Sequence, residues 1–242
     1  MPDLAAAYED ARAAMIDLAR TTDETARVPA CPDWTVHDLI AHVTSIASEL
    51  SSGGVPADLN LVQFWDDEMS RRRERFIDDA LAKWRGRPLD DLVARWDTAA
   101  TRLTSMIRGE TPFPPGSPPL VDWVVVTDIG QHLQDLAGAI GTTSTRDSLA
   151  TGLSLRSYVE AMRFRSAHDK LPAFRIRAGA RQWVIGDGEP IATVTADPFE
   201  LARAAAGRRS PDQIRAYDWD GDPEPFLVMF YPYGLRENAL VE

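Results

Sequence analysis

The sequence predicts an α+β chain in which a mainly helical first part is followed by a small α/β unit. Three observations carry this. Apolar residues recur at three- and four-residue spacing to about residue 167, the spacing turns to strict alternation after Pro172, and 242 residues suffice for one large core with a smaller partner. The boundary implied is a helical unit over residues 1–168 and an α/β unit over 169–242.

Leu4, Tyr8, Ala11, Met15 and Leu18 give one apolar face to a helix ending near Thr22. Two prolines, Pro29 and Pro32, keep the following segment out of helix. Thr35 then opens a second helix through Leu39, Ile40, His42 and Val43, with Asp38 completing an approximate capping box. Residues 61–84 read as a charge-laced helix whose Arg71, Arg72 and Arg73 form a solvated face. Pro88 starts another through Leu92, Trp96, Ala99, Leu103 and Met106, and Gly109 stops it. After the proline-rich loop 111–119, a buried helix runs from about Leu120 to Ala139, and one more spans Ser154 to about Ala167 with Leu155, Tyr158, Val159 and Met162 inward.

Beyond Pro172, Phe174 and Ile176 interleave with Arg175 and Arg177, the pattern of a half-buried strand. Strands are expected at 182–185 and 191–195. A helix begins at Asp197-Pro198, with Glu200 three residues after the cap, and ends at Gly207; Ser210-Pro211 opens a shorter one. A strand near Tyr217 and a proline-rich tail complete the chain.

A formal charge of -11 repels phosphate backbones and anionic lipid, so neither nucleic acid nor membrane is an expected partner. The most apolar short run, Trp123 to Val126, is too brief to span a bilayer. One cysteine, Cys31, excludes an intrachain disulfide and any cysteine-rich zinc site, and points to a reducing, cytoplasmic setting. Only two of 26 basic residues are lysine, the codon bias of a GC-rich genome. Small-molecule chemistry by a monomer or small homo-oligomer is the expectation.

The chemistry concentrates in three residues. Asp128 and His132 stand four apart on one helix and face the same way, and His42 on an earlier helix is one of only four histidines. Two imidazoles and a carboxylate on rigid helices suit a divalent metal with open positions, the arrangement of a catalytic rather than a structural site. Asp135, three residues after His132, can accept an imidazole N–H or join an ion pair. His37 and His168 read as surface residues, and Cys31 as a small buried hydrophobe. Asp218 to Asp222 fails as a calcium loop, because Pro223 and Met229 occupy the positions that need Gly and Glu. Neither a Gly-x-Ser-x-Gly elbow nor a phosphate-binding glycine loop occurs.

The run Val28 to Val36 with Asp38-Leu39-Ile40-Ala41-His42, then Asp128, His132-Leu133-Gln134-Asp135 and Gly141, resembles the mycothiol-dependent maleylpyruvate isomerase family, part of the wider DinB-like group. Trp183 to Gly186, Gly207-Arg208-Arg209 and Asp218 to Gly221 resemble the sterol-carrier-protein-like domain that follows the bundle in that family. The resemblance spans nearly the whole chain. It implies a four-helix bundle, a zinc ion held by His42, Asp128 and His132, and a cleft between bundle and C-terminal unit where the thiol mycothiol binds. Arg208, whose guanidinium is a planar fork of donors, is expected either to face an anionic or polyhydroxylated ligand in that cleft or to join a surface ion pair. The activity implied is an isomerase or thiol transferase acting on a small-molecule electrophile. The family's characterised isomerases carry Glu where this chain has Asp128, one methylene shorter, so maleylpyruvate is not assigned as substrate. Metal-assisted hydrolysis and metal or ligand binding without turnover are the alternatives.

Overall fold

A computed structural model of the chain describes residues 2–56, 58–59, 66–231, 234 and 236–242. The elements run α1 (Leu4–Arg20), β1 (Arg27–Val28), β2 (Cys31–Thr35), α2 (Val36–Ser52), α3 (Asp67–Ala82), α4 (Leu89–Ile107), α5 (Val121–Ile140), α6 (Leu149–Asp169), β3 (Phe174–Ala178), β4 (Arg181–Ile185), β5 (Ala192–Ala196), α7 (Pro198–Ala205), α8 (Pro211–Arg215) and β6 (Asp218–Asp220), followed by a 3₁₀ helix over Glu224–Phe230. The fold is a DinB-like helical bundle with a small C-terminal sheet unit, as expected from the sequence.

In the bundle α2 packs along α4 and α1 along α5, while α2 also crosses α5. Met15, Leu39, Ile40, Trp96, Leu103, Val126, Ile129 and Leu133 are among the residues filling its core. The Trp96 indole N–H donates to the buried Tyr8 hydroxyl at 2.8 Å, which ties α4 to α1 without leaving either polar group dry and unpaired. The expected capping box is present: the Thr35 hydroxyl accepts from the Asp38 amide and the Asp38 carboxylate accepts from that of Thr35. This fixes the start of the helix that carries His42.

Several elements depart from expectation. The segment with Pro29 and Pro32 is a short antiparallel hairpin, β1 with β2. The first part of the helix expected at 61–84, residues 61–65, lies outside the described residues. Of the three arginines taken as a solvated face, Arg71 is exposed and Arg72 pairs with Asp58 at 2.6 Å, but Arg73 is buried. It shares the inner face of α3 with Ala80 and Leu81, at the seven- and eight-residue spacing that returns a helix to the same side. Helix α6 begins five residues before Ser154, because Ser148 caps it by accepting from the Thr151 amide. Ser154 itself sits inside the helix and donates to the Ala150 and Thr127 carbonyls. Part of the proline-rich tail is ordered into the core: its 3₁₀ helix buries Phe226, Leu227, Met229 and Phe230.

In the C-terminal unit the strands lie in the order β4-β3-β5-β6, with β3 parallel to β5 and the outer pairs antiparallel. Phe174, Ile176 and Ala178 of β3 point inward, as their alternation with arginine implied. Gly179, at φ +59, takes the first position of the two-residue β3–β4 turn, where a side chain would be strained. Two apolar cores divide within α6: Leu153 packs into the bundle, and Leu155, Tyr158, Val159 and Met162 pack against the sheet unit. None of the described helices is long and apolar enough to cross a membrane.

Close approach of α6 to α5 depends on Gly130. A Cβ there would stand 2.5 Å from the Ser154 hydroxyl oxygen and 2.8 Å from the Ala150 carbonyl oxygen. Gly130→Ala is therefore expected to lose about 1–2 kcal/mol net in chemical denaturation, overpacking outweighing the ~1 kcal/mol gain in helix propensity. A stabilised variant would mean that α6 yields freely.

Candidate metal centre

The three expected residues meet. His42 comes from the middle of α2, Asp128 and His132 from one face of α5, and their ligating atoms all lie within 4.8 Å of one another. Asp128 Oδ1 is 3.6 Å from His42 Nε2 and 3.5 Å from His132 Nε2. Those separations are long for hydrogen bonds. They are close to the ~3.3–3.4 Å between ligands placed tetrahedrally about zinc at ~2.0–2.1 Å. The two imidazoles meet edge to face, centroids 4.7 Å apart, and Trp34 covers both at 4.7 and 5.7 Å. His42 and His132 are buried while the Asp128 side chain is 27% exposed, so the carboxylate side of the set is the accessible one.

Electrostatics follow the geometry. Burial pushes the His42 imidazole below its ordinary pKa, against the pull of Asp128. Burial acts in the same direction on His132, but the negative charge of Asp128, the Asp135 carboxylate accepting from Nδ1 and the nearby Cys31 sulfur outweigh it and hold that imidazole well above its ordinary value. The Asp128 carboxyl is held below the usual range, since the two imidazoles overcome its desolvation. A negative oxygen between two imidazole edges in a low-dielectric pocket is a cation site by charge as well as by spacing.

Asp135 fixes His132 from behind. Its Oδ2 lies 3.0 Å from His132 Nδ1, which assigns a proton to Nδ1 and turns Nε2 toward Asp128, where a bound cation would take the place of the second proton. The carboxylate is fully buried and saturated: Oδ1 accepts from Arg203 at 2.6 Å and Oδ2 from Arg208 at 2.9 Å. Desolvation would raise its pKa, yet these two guanidiniums hold it far below the ordinary carboxylate range. Cys31, His132 and Asp135 also stand close enough to hold an ion. An ion there would compete with two arginines for Asp135 and with its proton for Nδ1, so the His42, Asp128 and His132 set is the better site.

Both sides of the alternative for Asp135 are thus realised at once, imidazole acceptor and ion-pair partner. Arg208 reaches the site from the C-terminal unit. Cys31 packs against the bundle core as expected but is only half-buried: from β2 its sulfur lies 3.4 Å from Asp135 Oδ2 and 3.5 Å from an Arg208 nitrogen, on the wall of a cavity of about 610 Å³ that also takes in His42, Asp128 and His132. His168 is exposed as expected, and His37 contacts the Arg87 carbonyl oxygen through Nε2, away from the cavity. Sequence reasoning passed over Trp34, Gln131, Glu242 and above all Arg203. The last had a signal: Arg203 is the one charged residue in the otherwise apolar run Leu201-Ala202-Arg203-Ala204-Ala205-Ala206.

Fold and site together define a class, the DinB-like bundles that present two imidazoles and a carboxylate to a cavity. Within it, the chain belongs to the family of the mycothiol maleylpyruvate isomerase N-terminal domain, whose model matches residues 4–137. A crystal structure of the mycothiol-dependent maleylpyruvate isomerase superposes with a TM-score of 0.56 at 17% identity, covering 86% of this chain and 90% of the other. A histidine-to-alanine mutant structure of that isomerase gives 0.56 at 16% identity, over 88% and 92% of the two chains. None of the curated proteins compared matches significantly.

Proposed function

We propose that this chain is a zinc-dependent enzyme that activates mycothiol for addition or transfer to a small electrophile, as an isomerase or a thiol S-transferase in the cytoplasm. The observation that carries it is the three-donor set at tetrahedral spacing, open on its Asp128 side to a cavity that could hold a thiol and a second molecule. Family membership supports the thiol.

The donors fit a divalent ion, and His42, Asp128 and His132 would hold it. Such an ion, when bound, supplies Lewis-acid stabilisation that favours a thiolate over a thiol near neutral pH. The chain does the rest. Asp135 keeps the His132 proton on Nδ1, Trp34 excludes water from the imidazoles, and Arg208, with Nε and Nη2 on the Asp135 carboxylate and Nη1 on the Ala206 carbonyl oxygen, puts positive charge on the cavity wall for an anionic or polyhydroxylated ligand. A thiolate delivered here adds to an activated double bond, permitting rotation before it leaves, or displaces a leaving group and keeps the new C–S bond. Cys31 is not required as the sulfur source.

A panel of electrophiles, including cis-dienoic acids and alkylating agents, assayed with metal-loaded protein should turn over only when mycothiol is present. Arg208→Ala should raise the thiol KM about tenfold or more, the worth of a charge-assisted hydrogen bond, and Cys31→Ser should keep most of the activity. Equal turnover without thiol would replace this reading by hydrolysis. Loss of activity in folded, metal-loaded Cys31→Ser would move the nucleophile into the protein.

A further inference from the structure

The cavity has two chemically different ends. Helix α5 lines it from Val124 to His132, with Leu120 just before its first turn, a reach of about 18 Å at 1.5 Å per residue. At the far end stand Gln131, His132, Cys31, Tyr158 and Arg208, and Gln131 is buried with its Nε2 unpartnered among the described residues. At the near end Leu120, Trp123 and Val124 line it, and Ile77, Ala161 and Phe164 are also in its wall. Asp128 lies between.

The near end is apolar where a soluble protein would ordinarily be polar. Leu120 is 54% and Phe164 56% exposed, among few large hydrophobic side chains so placed. Leu120 also adopts φ +57, a conformation that favours glycine, so an apolar side chain is held there against the backbone's preference. Charge reinforces the selection. Glu74, Asp78 and Glu160 line the cavity against one lining arginine at this end, Arg156, whose guanidinium lies 5.3 Å from the Trp123 ring centre. Glu160 is offset in part by Arg163 at 3.4 Å.

We infer that the near end is the electrophile's subsite and that it takes a neutral molecule with an aromatic or alkyl body in preference to a dicarboxylate. This rests on the thiol-activating reading: thiol at the polar end, electrophile at the apolar end, the metal ligands between them. Aromatic walls supply contact area and ring stacking for such a body, whereas a dianion would lose its hydration beside two or three carboxylates with one guanidinium to answer them.

The test is a binding measurement independent of turnover. N-phenyl-1-naphthylamine, a neutral fluorophore that brightens in apolar surroundings, is titrated into the full-length, metal-loaded protein and displaced by naphthalene or by naphthalene-2,6-dicarboxylate. The dicarboxylate should compete at least tenfold more weakly than naphthalene, Glu74→Gln with Asp78→Asn should narrow that gap to under threefold, and Trp123→Ala or Phe164→Ala should weaken the probe fivefold or more. A dicarboxylate that competes as well as naphthalene in wild type, or a probe indifferent to both aromatic substitutions, overturns the inference. Thiol-independent turnover would sink the parent reading and leave these affinities unchanged, so the two failures are separable.

Discussion

Arg203→Ala is expected to cost the fold about 3–5 kcal/mol, the range for removing one partner of a buried ion pair. Arg203 is wholly inaccessible, and so is Asp135, to whose Oδ1 it donates at 2.6 Å. The same guanidinium donates to the Gln131 carbonyl and side-chain oxygens at 3.2 and 3.0 Å and pairs with Glu242. Without it, Asp135 keeps Arg208 and Glu242 keeps Arg209, but each carboxylate retains its charge in a dry environment with one cation fewer. Arg203→Met should be nearly as damaging, because filling the volume does nothing for the stranded carboxylates. For a chain of this length the midpoint of thermal unfolding should fall by on the order of 10 °C. A loss under about 1 kcal/mol would mean that water enters and solvates Asp135 and Glu242 at little cost. Arg203 lies on α7 and Asp135 on α5, so this contact, together with that of Arg208, joins the C-terminal unit to the back of the candidate metal site.

The convergence of the three candidate donors was readable in part from local geometry: Asp128 and His132 share a face through helix periodicity alone, whereas joining His42 to them rested on the resemblance to a family. The α+β division was readable for the same reason, since periods of 3.6 and 2 are properties of short windows. What escaped depended on tertiary partners. Ser154 looked like a helix start because serine favours caps, yet a fully buried Ser154 satisfies its hydroxyl against the α5 and α6 backbone instead. Arg73 was read as solvated with its neighbours, although the two residues from exposed Arg71 to buried Arg73 turn α3 by about 200°. Cys31 could not be placed from its own sequence neighbours, because Asp135 and Arg208, which hold its sulfur at the cavity wall, stand 104 and 177 residues away.

Substituting the ligands should separate metal binding from folding. A structural zinc site gathers ~10–16 kcal/mol from four ligands, so each contributes roughly 3–4 kcal/mol and its loss should weaken zinc affinity about 10²- to 10³-fold. His42→Ala and His132→Ala are expected to do this, read by competitive chelator titration of the purified proteins, with far-UV circular dichroism showing that the bundle persists. Asp135→Asn should cost less, about 10- to 100-fold, because it loosens the orientation of His132 without removing a ligand. Asp128→Glu, which lengthens the carboxylate by one methylene, should hold zinc within about tenfold of wild type, since the Asp128 side chain is partly exposed and faces the cavity, where a methylene can be accommodated. Undiminished zinc affinity in both histidine variants would rule out this site. A strong loss in His42→Ala with none in His132→Ala would place the ion elsewhere along α2 and undo the role assigned to Asp135, whose only path to the metal is through the His132 ring.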